Sequence, residues 1–148
     1  MTGELPAAVL FCCTMNAVRS VMAEAMMKHL FGHAVYIDSV GVRKGDIDQF
    51  AVTVMDEIGI DITRHRPKSF EDLDDDSFDL IISLSPESQH SAVEMTRNMA
   101  CEVEFWNTFD PTYVEGSREV RLAAFREVRD GLMARIQRRF GSPPPPVV

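Results

Sequence analysis

Within Cys13-Thr-Met-Asn-Ala-Val-Arg19-Ser20 a thiol, a guanidinium and a hydroxyl fall inside one short segment. Those three groups suit one kind of chemistry. A thiolate attacks electrophilic centres, and a planar guanidinium grips two oxygens of a tetrahedral oxyanion at once. A tetrahedral oxyanion, phosphate by preference, is the expected ligand. With the backbone N–H groups turned inward, Thr14, Met15, Asn16, Ala17, Val18 and Ser20 become the binding wall. The same positive field favours thiolate at Cys13, and Ser20 can donate a hydrogen bond to the sulfur. Asn16 is a residue type that tolerates left-handed backbone and can pin the loop with its side chain.

Cys-x5-Arg alone is a weak pattern, so its flanks matter. Residues 7–12 form a short apolar run that reads as a strand buried on both faces. Residues 20–31 follow with Met22, Met26, Met27 and Leu30 at helical spacing, ended by Gly32. Further strands are expected at 35–39, 78–84 and 101–106. Between them, Ile47, Phe50, Ala51, Val54 and Ile58 form one helical face closed by Gly59, and Ser85-Pro86 opens a helix running to Met99. A long last helix starts near Ser117 and presents Phe125, Val128, Leu132, Ile136 and Phe140. Alternation of strand and helix predicts an α/β fold of three layers around a parallel sheet. Ligands bind beyond the carboxyl ends of strands in such folds, where Cys13 would lie.

The 148 residues fit one domain over 1–140, with a Pro-rich tail at 141–148 that reads as disordered or polyproline. No apolar run approaches the length of a membrane span, and the first residues lack the basic flank of a secretory signal. The chain reads as cytoplasmic, without a membrane partner. A net charge of −8 argues against nucleic-acid binding, which needs cationic surface. Part of the acidity sits at 71–76 and reads as a solvated loop. Cysteines 12, 13 and 101 form neither a disulfide framework nor a metal-ligand spacing, so no metal site is expected. Cys12 reads as core.

The stretch Val9-Leu-Phe-Cys-Cys13-Thr-Met-Asn16-Ala-Val-Arg19-Ser20-Val-Met-Ala-Glu24 resembles the low-molecular-weight protein tyrosine phosphatase family, which includes the thioredoxin-coupled arsenate reductases. Asp38-Ser39-Val-Gly41, Gly59-Ile-Asp61 with His65-Arg66, Phe78-Asp79, and Asp110-Pro111 follow in the same order, so the resemblance spans about 7–140. It implies a four-stranded parallel sheet of flavodoxin-like topology, a cysteinyl-phosphate intermediate and no metal or organic cofactor. It also implies that Asp110 is the general acid, and that Ser39 and His65 support Asn16. Catalysis would then rest on Cys13, Arg19 and Asp110.

Four departures bear on substrate. Met15 stands where the family usually has glycine, Val18 replaces a protective cysteine, and Val21 replaces a common proline. Thr112-Tyr113 replaces an aromatic pair, weakening a phosphotyrosine preference. Hydrolysis of a phosphomonoester, on a protein or a small molecule, is the first expectation. Arsenate reduction is the alternative, but a thioredoxin-coupled reductase needs relay cysteines after the third strand. Here Ser85 stands there and no cysteine follows before 101, leaving only an external thiol. A non-catalytic oxyanion-binding module is a third reading, motivated by Met15 and Val21.

Overall fold

The computed structural model describes residues 5–73 and 77–145. Part of the acidic loop (74–76) and the end of the Pro-rich tail (146–148) lie outside the described residues. Four parallel strands, β1 (Ala8–Cys13), β2 (Tyr36–Gly41), β3 (Leu80–Ser83) and β4 (Glu102–Phe105), form a sheet in the order β2-β1-β3-β4. Helices α1 (Arg19–Phe31), α2 (Gln49–Asp56), α3 (Pro86–Met95) and α4 (Arg118–Phe140) cover it. The architecture is the three-layer α/β fold expected from the alternation.

Every residue of β1 is buried, so alternate side chains feed two cores. Val9, Phe11 and Cys13 pack with α1, α2 and α4, whereas Ala8, Leu10 and Cys12 face α3. That parity separates the two adjacent cysteines. Cys13 points toward α1 and its loop; Cys12 points away, into the α3 layer. Because β1 lies between β2 and β3, the chain leaves it in opposite directions, and its carboxyl end is the crevice where this sheet type binds ligands.

Element ends differ in detail from the sequence pattern. Cys13 is still paired, opposite Gly41, so β1 ends one residue later than expected. Helix α2 starts where Asp48 accepts hydrogen bonds from the N–H groups of Phe50 and Ala51, and it ends at Asp56 rather than Gly59. Gly59, at φ +78°, turns the chain after it. Helix α3 is capped by Ser85 as predicted but stops at Met95, and a 3-10 turn (Thr96–Asn98) covers the rest of the expected span.

Gly41 is where β2 meets the Cys13 loop. A Cβ there would lie 2.5 Å from the Arg43 carbonyl oxygen and 2.6 Å from the Asn16 nitrogen, both backbone atoms that cannot swing aside. Gly41→Ala should therefore destabilise the chain by about 1–3 kcal/mol in urea unfolding. Unchanged stability would show that the loop and β2 are not held in this close approach.

Candidate active site

The loop between β1 and α1 is shaped by one residue. Asn16 has φ +51°, in the left-handed region, and its side chain is fully buried. Its amide has four hydrogen-bond partners. The backbone N–H of Lys68 meets one amide atom at 2.9 Å, and since an N–H only donates, that atom is Oδ1. Nε2 of His65, 2.9 Å from the same oxygen, must then carry a proton. The opposite side, Nδ2, donates to Ser20 Oγ and Ser39 Oγ, each at 2.9 Å. Two donors and two lone pairs are all used.

These bonds set direction further along. Ser39 accepts from Asn16 and donates to Glu24, a buried carboxylate on α1. Ser20 accepts from Asn16, so its own hydrogen is free. Cys13 Sγ lies 2.9 Å from Ser20 Oγ and the Val40 carbonyl 3.5 Å away, which makes the sulfur the nearer acceptor. A hydroxyl aimed at that sulfur stabilises negative charge there. The loop is also tied to the segment after β2: the N–H groups of Val42, Arg43 and Gly45 donate to the carbonyls of Cys13, Thr14 and Met15. With its carbonyls bonded outward, the loop can turn its own N–H groups toward an anion. Val18, at the N-cap of α1, supplies no side-chain cap, so that helix terminus keeps its first N–H groups available as well.

Arg19 and Asp110 close the site. Nη1 of Arg19 donates to the Thr108 carbonyl at 3.0 Å, while Nη2 reaches Thr14 Oγ1 at 3.4 Å and Asp110 Oδ2 at 3.7 Å. Asp110 caps the 3-10 turn Pro111–Tyr113; its other oxygen accepts from the Thr112 N–H and hydroxyl. Cys13, Ala17, Val18, Arg19 and Asp110 line a cavity of about 90 Å3. Outside it lies a groove of about 770 Å3, with Arg43, Glu87, Phe109 and Tyr113 on its walls. Met15, Arg19, Asp110 and Thr112 line both, so the groove opens onto the small cavity. Met15, with its methyl against Gly45, forms an apolar lip between the two spaces.

All the residues singled out from the sequence meet here: the 13–20 loop, Asp110, and Ser39 with His65 behind Asn16. Four participants were not singled out. Glu24 anchors Ser39, Lys68 contributes a main-chain N–H, Thr108 holds Arg19, and Gly41 admits the loop. Glu24 and Gly41 left readable signals, since both stand in the stretches that carry the family resemblance, and Glu24 lies one turn after Ser20 on the face that α1 buries. Cys12 is not part of the site. Its sulfur is fully buried near the carbonyls of Ile82 and Ser88, and burial pushes its thiol up to about 12, leaving it protonated and inert.

The low-molecular-weight phosphotyrosine protein phosphatase family model matches residues 8–138. The chain belongs to this family. An arsenate reductase of Halalkalibacterium halodurans is 32% identical over 87% of this chain and 91% of its own length. A solved arsenate reductase in a phosphate-binding state is 28% identical, with a TM-score of 0.69 over 88% of this chain and 94% of that one. A low-molecular-weight protein tyrosine phosphatase from T. tengcongensis is 27% identical, with a TM-score of 0.72 over 88% and 95%. Family membership brings cysteine-based chemistry on an oxyanion and a fold shared by phosphatases and arsenate reductases. No helix among the described residues is long and apolar enough to cross a membrane.

His65 provides a test of the buried network. Burial lowers its pKa from the usual 6.5, outweighing the nearby Glu24 carboxylate that raises it. The unfolded chain therefore binds more protons than the folded one just below 6.5, and stability should fall as pH drops below that value. His65→Gln keeps an N–H donor for Asn16 without a titrating ring. Its urea midpoint should lose less than the parent's between about pH 7 and about pH 5.5. Equal losses in the two proteins would mean that His65 is not held neutral here.

Proposed function

We propose that Cys13 forms a covalent adduct with a bound tetrahedral oxyanion, and that the chain is an arsenate reductase drawing electrons from an external low-molecular-weight thiol. The bowl around Cys13 carries the first part: a sulfur 2.9 Å from a hydroxyl, an uncapped helix terminus, and Arg19 at the rim. Phosphate and arsenate share shape and charge, so that bowl accepts either. The choice of arsenate leans on the relatives that match most of the chain, which carry that name. This reverses the order expected from the sequence, where hydrolysis came first.

The external thiol is needed for electrons. Thr14 Oγ1 donates to Ser85 Oγ at 3.1 Å, so a hydroxyl stands beside the loop where a relay thiol would have to be. Cys101 precedes β4 at the opposite edge of the sheet, with its thiol pushed up by burial and by the charges of Asp79 and Glu102. In the proposed sequence Cys13 displaces water from arsenate to give a sulfur–arsenic(V) bond. An external thiolate attacks the Cys13 sulfur. The sulfur–arsenic pair stays on arsenic, releasing arsenite and leaving a mixed disulfide, and a second thiol frees Cys13 as the external disulfide forms. Arg19 holds two oxygens of the anion throughout.

Phosphomonoester hydrolysis remains a second reading because of Asp110. Its carboxyl lies at the mouth of the small cavity, where it can protonate a leaving oxygen and then activate water against a cysteinyl-phosphate. Exposed Phe109 and Tyr113 on the groove wall suit an aryl or peptide substrate. Purified protein should form arsenite from arsenate only when a monothiol such as glutathione is present, and Cys13→Ser should reduce this to background. Asp110→Asn should leave that rate within about threefold while abolishing turnover of aryl phosphates with poor leaving groups. Aryl-phosphate hydrolysis without thiol-dependent arsenite would replace the reductase reading by the phosphatase one. Oxyanion binding with neither activity would leave a binding module.

A further inference from the structure

A second cavity, of about 420 Å3, lies directly behind the segment that carries Asp110. Its volume is in the range of small-molecule sites, roughly 300–1,000 Å3. One wall is Asn107, Thr108 and Phe109; the other is a single face of α4, including Val128, Leu132, Arg135 and Arg138. Residues at spacings of three and four share a helix face, so this wall is continuous. Val128 and Leu132 form a buried apolar floor. Gly131 opens the middle, since a Cβ there would meet nothing within 4 Å.

The arginines of α4 fall into two groups, those paired with a carboxylate and those not, and two of the unpaired ones line this cavity. Arg126, Arg129 and Arg139 each engage a carboxylate, on Glu57, Asp130 or Glu104. Arg135 and Arg138 have no ion-pair partner among the described residues; Arg135 lies instead over the Trp106 ring, 5.0 Å from its centre. Both line the same end of the cavity. Glu127 lines it two turns away, about 12 Å along the helix, so an anionic group is drawn to one end only. An apolar floor with two guanidinium groups at one end, neither paired with a carboxylate among the described residues, fits a small carboxylate with an apolar body.

We propose that this cavity binds such a molecule, a medium-chain or aryl carboxylate, and that its occupancy alters oxyanion binding. The link is short. Thr108, in the cavity wall, holds Arg19 through its carbonyl at 3.0 Å, so a ligand pressing on that wall shifts the guanidinium that grips the oxyanion. The proposal does not depend on whether the anion at Cys13 is reduced or hydrolysed.

Octanoate and its neutral counterpart octanol serve as probes with the full chain in calorimetry. Octanoate should bind saturably, and octanol at least about tenfold more weakly. Gly131→Leu, which fills the cavity with a better helix former, and Arg138→Glu, which reverses its charge, should each weaken octanoate about tenfold or more. Bound octanoate should also change phosphate affinity at least about twofold in the parent and not in Gly131→Leu. Absence of saturable binding, equal affinity for octanol, or octanoate affinity untouched by both substitutions would overturn the site. Octanoate binding that leaves phosphate affinity unchanged would overturn its link to Arg19. Should Gly131→Leu fail to fold, Arg138→Glu and the octanol comparison decide the matter alone.

Discussion

The Cys13 loop depends on the four hydrogen bonds of one buried amide. Asn16 holds a left-handed backbone turn that an ordinary side chain avoids, and it does so with every donor and acceptor satisfied. Removing that amide would leave the Ser20 and Ser39 oxygens, a histidine N–H and a main-chain N–H without their partner. Each unmatched buried polar group costs on the order of 1–3 kcal/mol, comparable to a large share of a small protein's net stability. The loop's shape is therefore tied to the cooperativity of the fold.

Direction matters as much as strength. Because the Lys68 N–H can only donate, the amide orientation is fixed, and every bond beyond it inherits a sense. Ser39 passes its hydrogen to Glu24, and Ser20 is left with its hydrogen for Cys13. Glu24 takes the Ser39 hydrogen, so Ser39 meets Asn16 as an acceptor, in keeping with the orientation that the Lys68 N–H sets. The alternating faces of β1 complete this division: one cysteine is delivered to the Ser20 hydroxyl, while its neighbour is sealed in hydrocarbon and serine hydroxyls on the other side.

Much of this was legible in the sequence because its signals are local. An apolar run, then Cys-x5-Arg, then helix-spaced methionines put the loop at the right edge of a parallel sheet, and Asn16 advertised its left-handed turn by residue type. The supporting contacts were less legible because they join distant segments. Nothing near Thr108 says that its carbonyl will hold Arg19, and Lys68 contributes through its backbone, which carries no side-chain signature. Helix α3 was read too long because polar Thr96 and Asn98 do not break the pattern, although the final turn tightens into a 3-10 form. Substrate choice was less legible for a related reason. Phosphate and arsenate present the same geometry to the bowl, so the distinction lies in where electrons come from, and a serine at position 85 names no supplier.

Ligand-induced stabilisation by phosphate, followed by thermal unfolding, tests the pinned bowl most directly, since a ligand that binds only the folded chain raises its melting temperature. Phosphate should raise it in the parent and in Cys13→Ser, whose bowl is intact, and should not do so in Asn16→Asp or Asn16→Ala if these still unfold cooperatively. An equal phosphate-dependent rise in the Asn16 variants would contradict the account, because the oxyanion would then be bound without the amide that shapes its site.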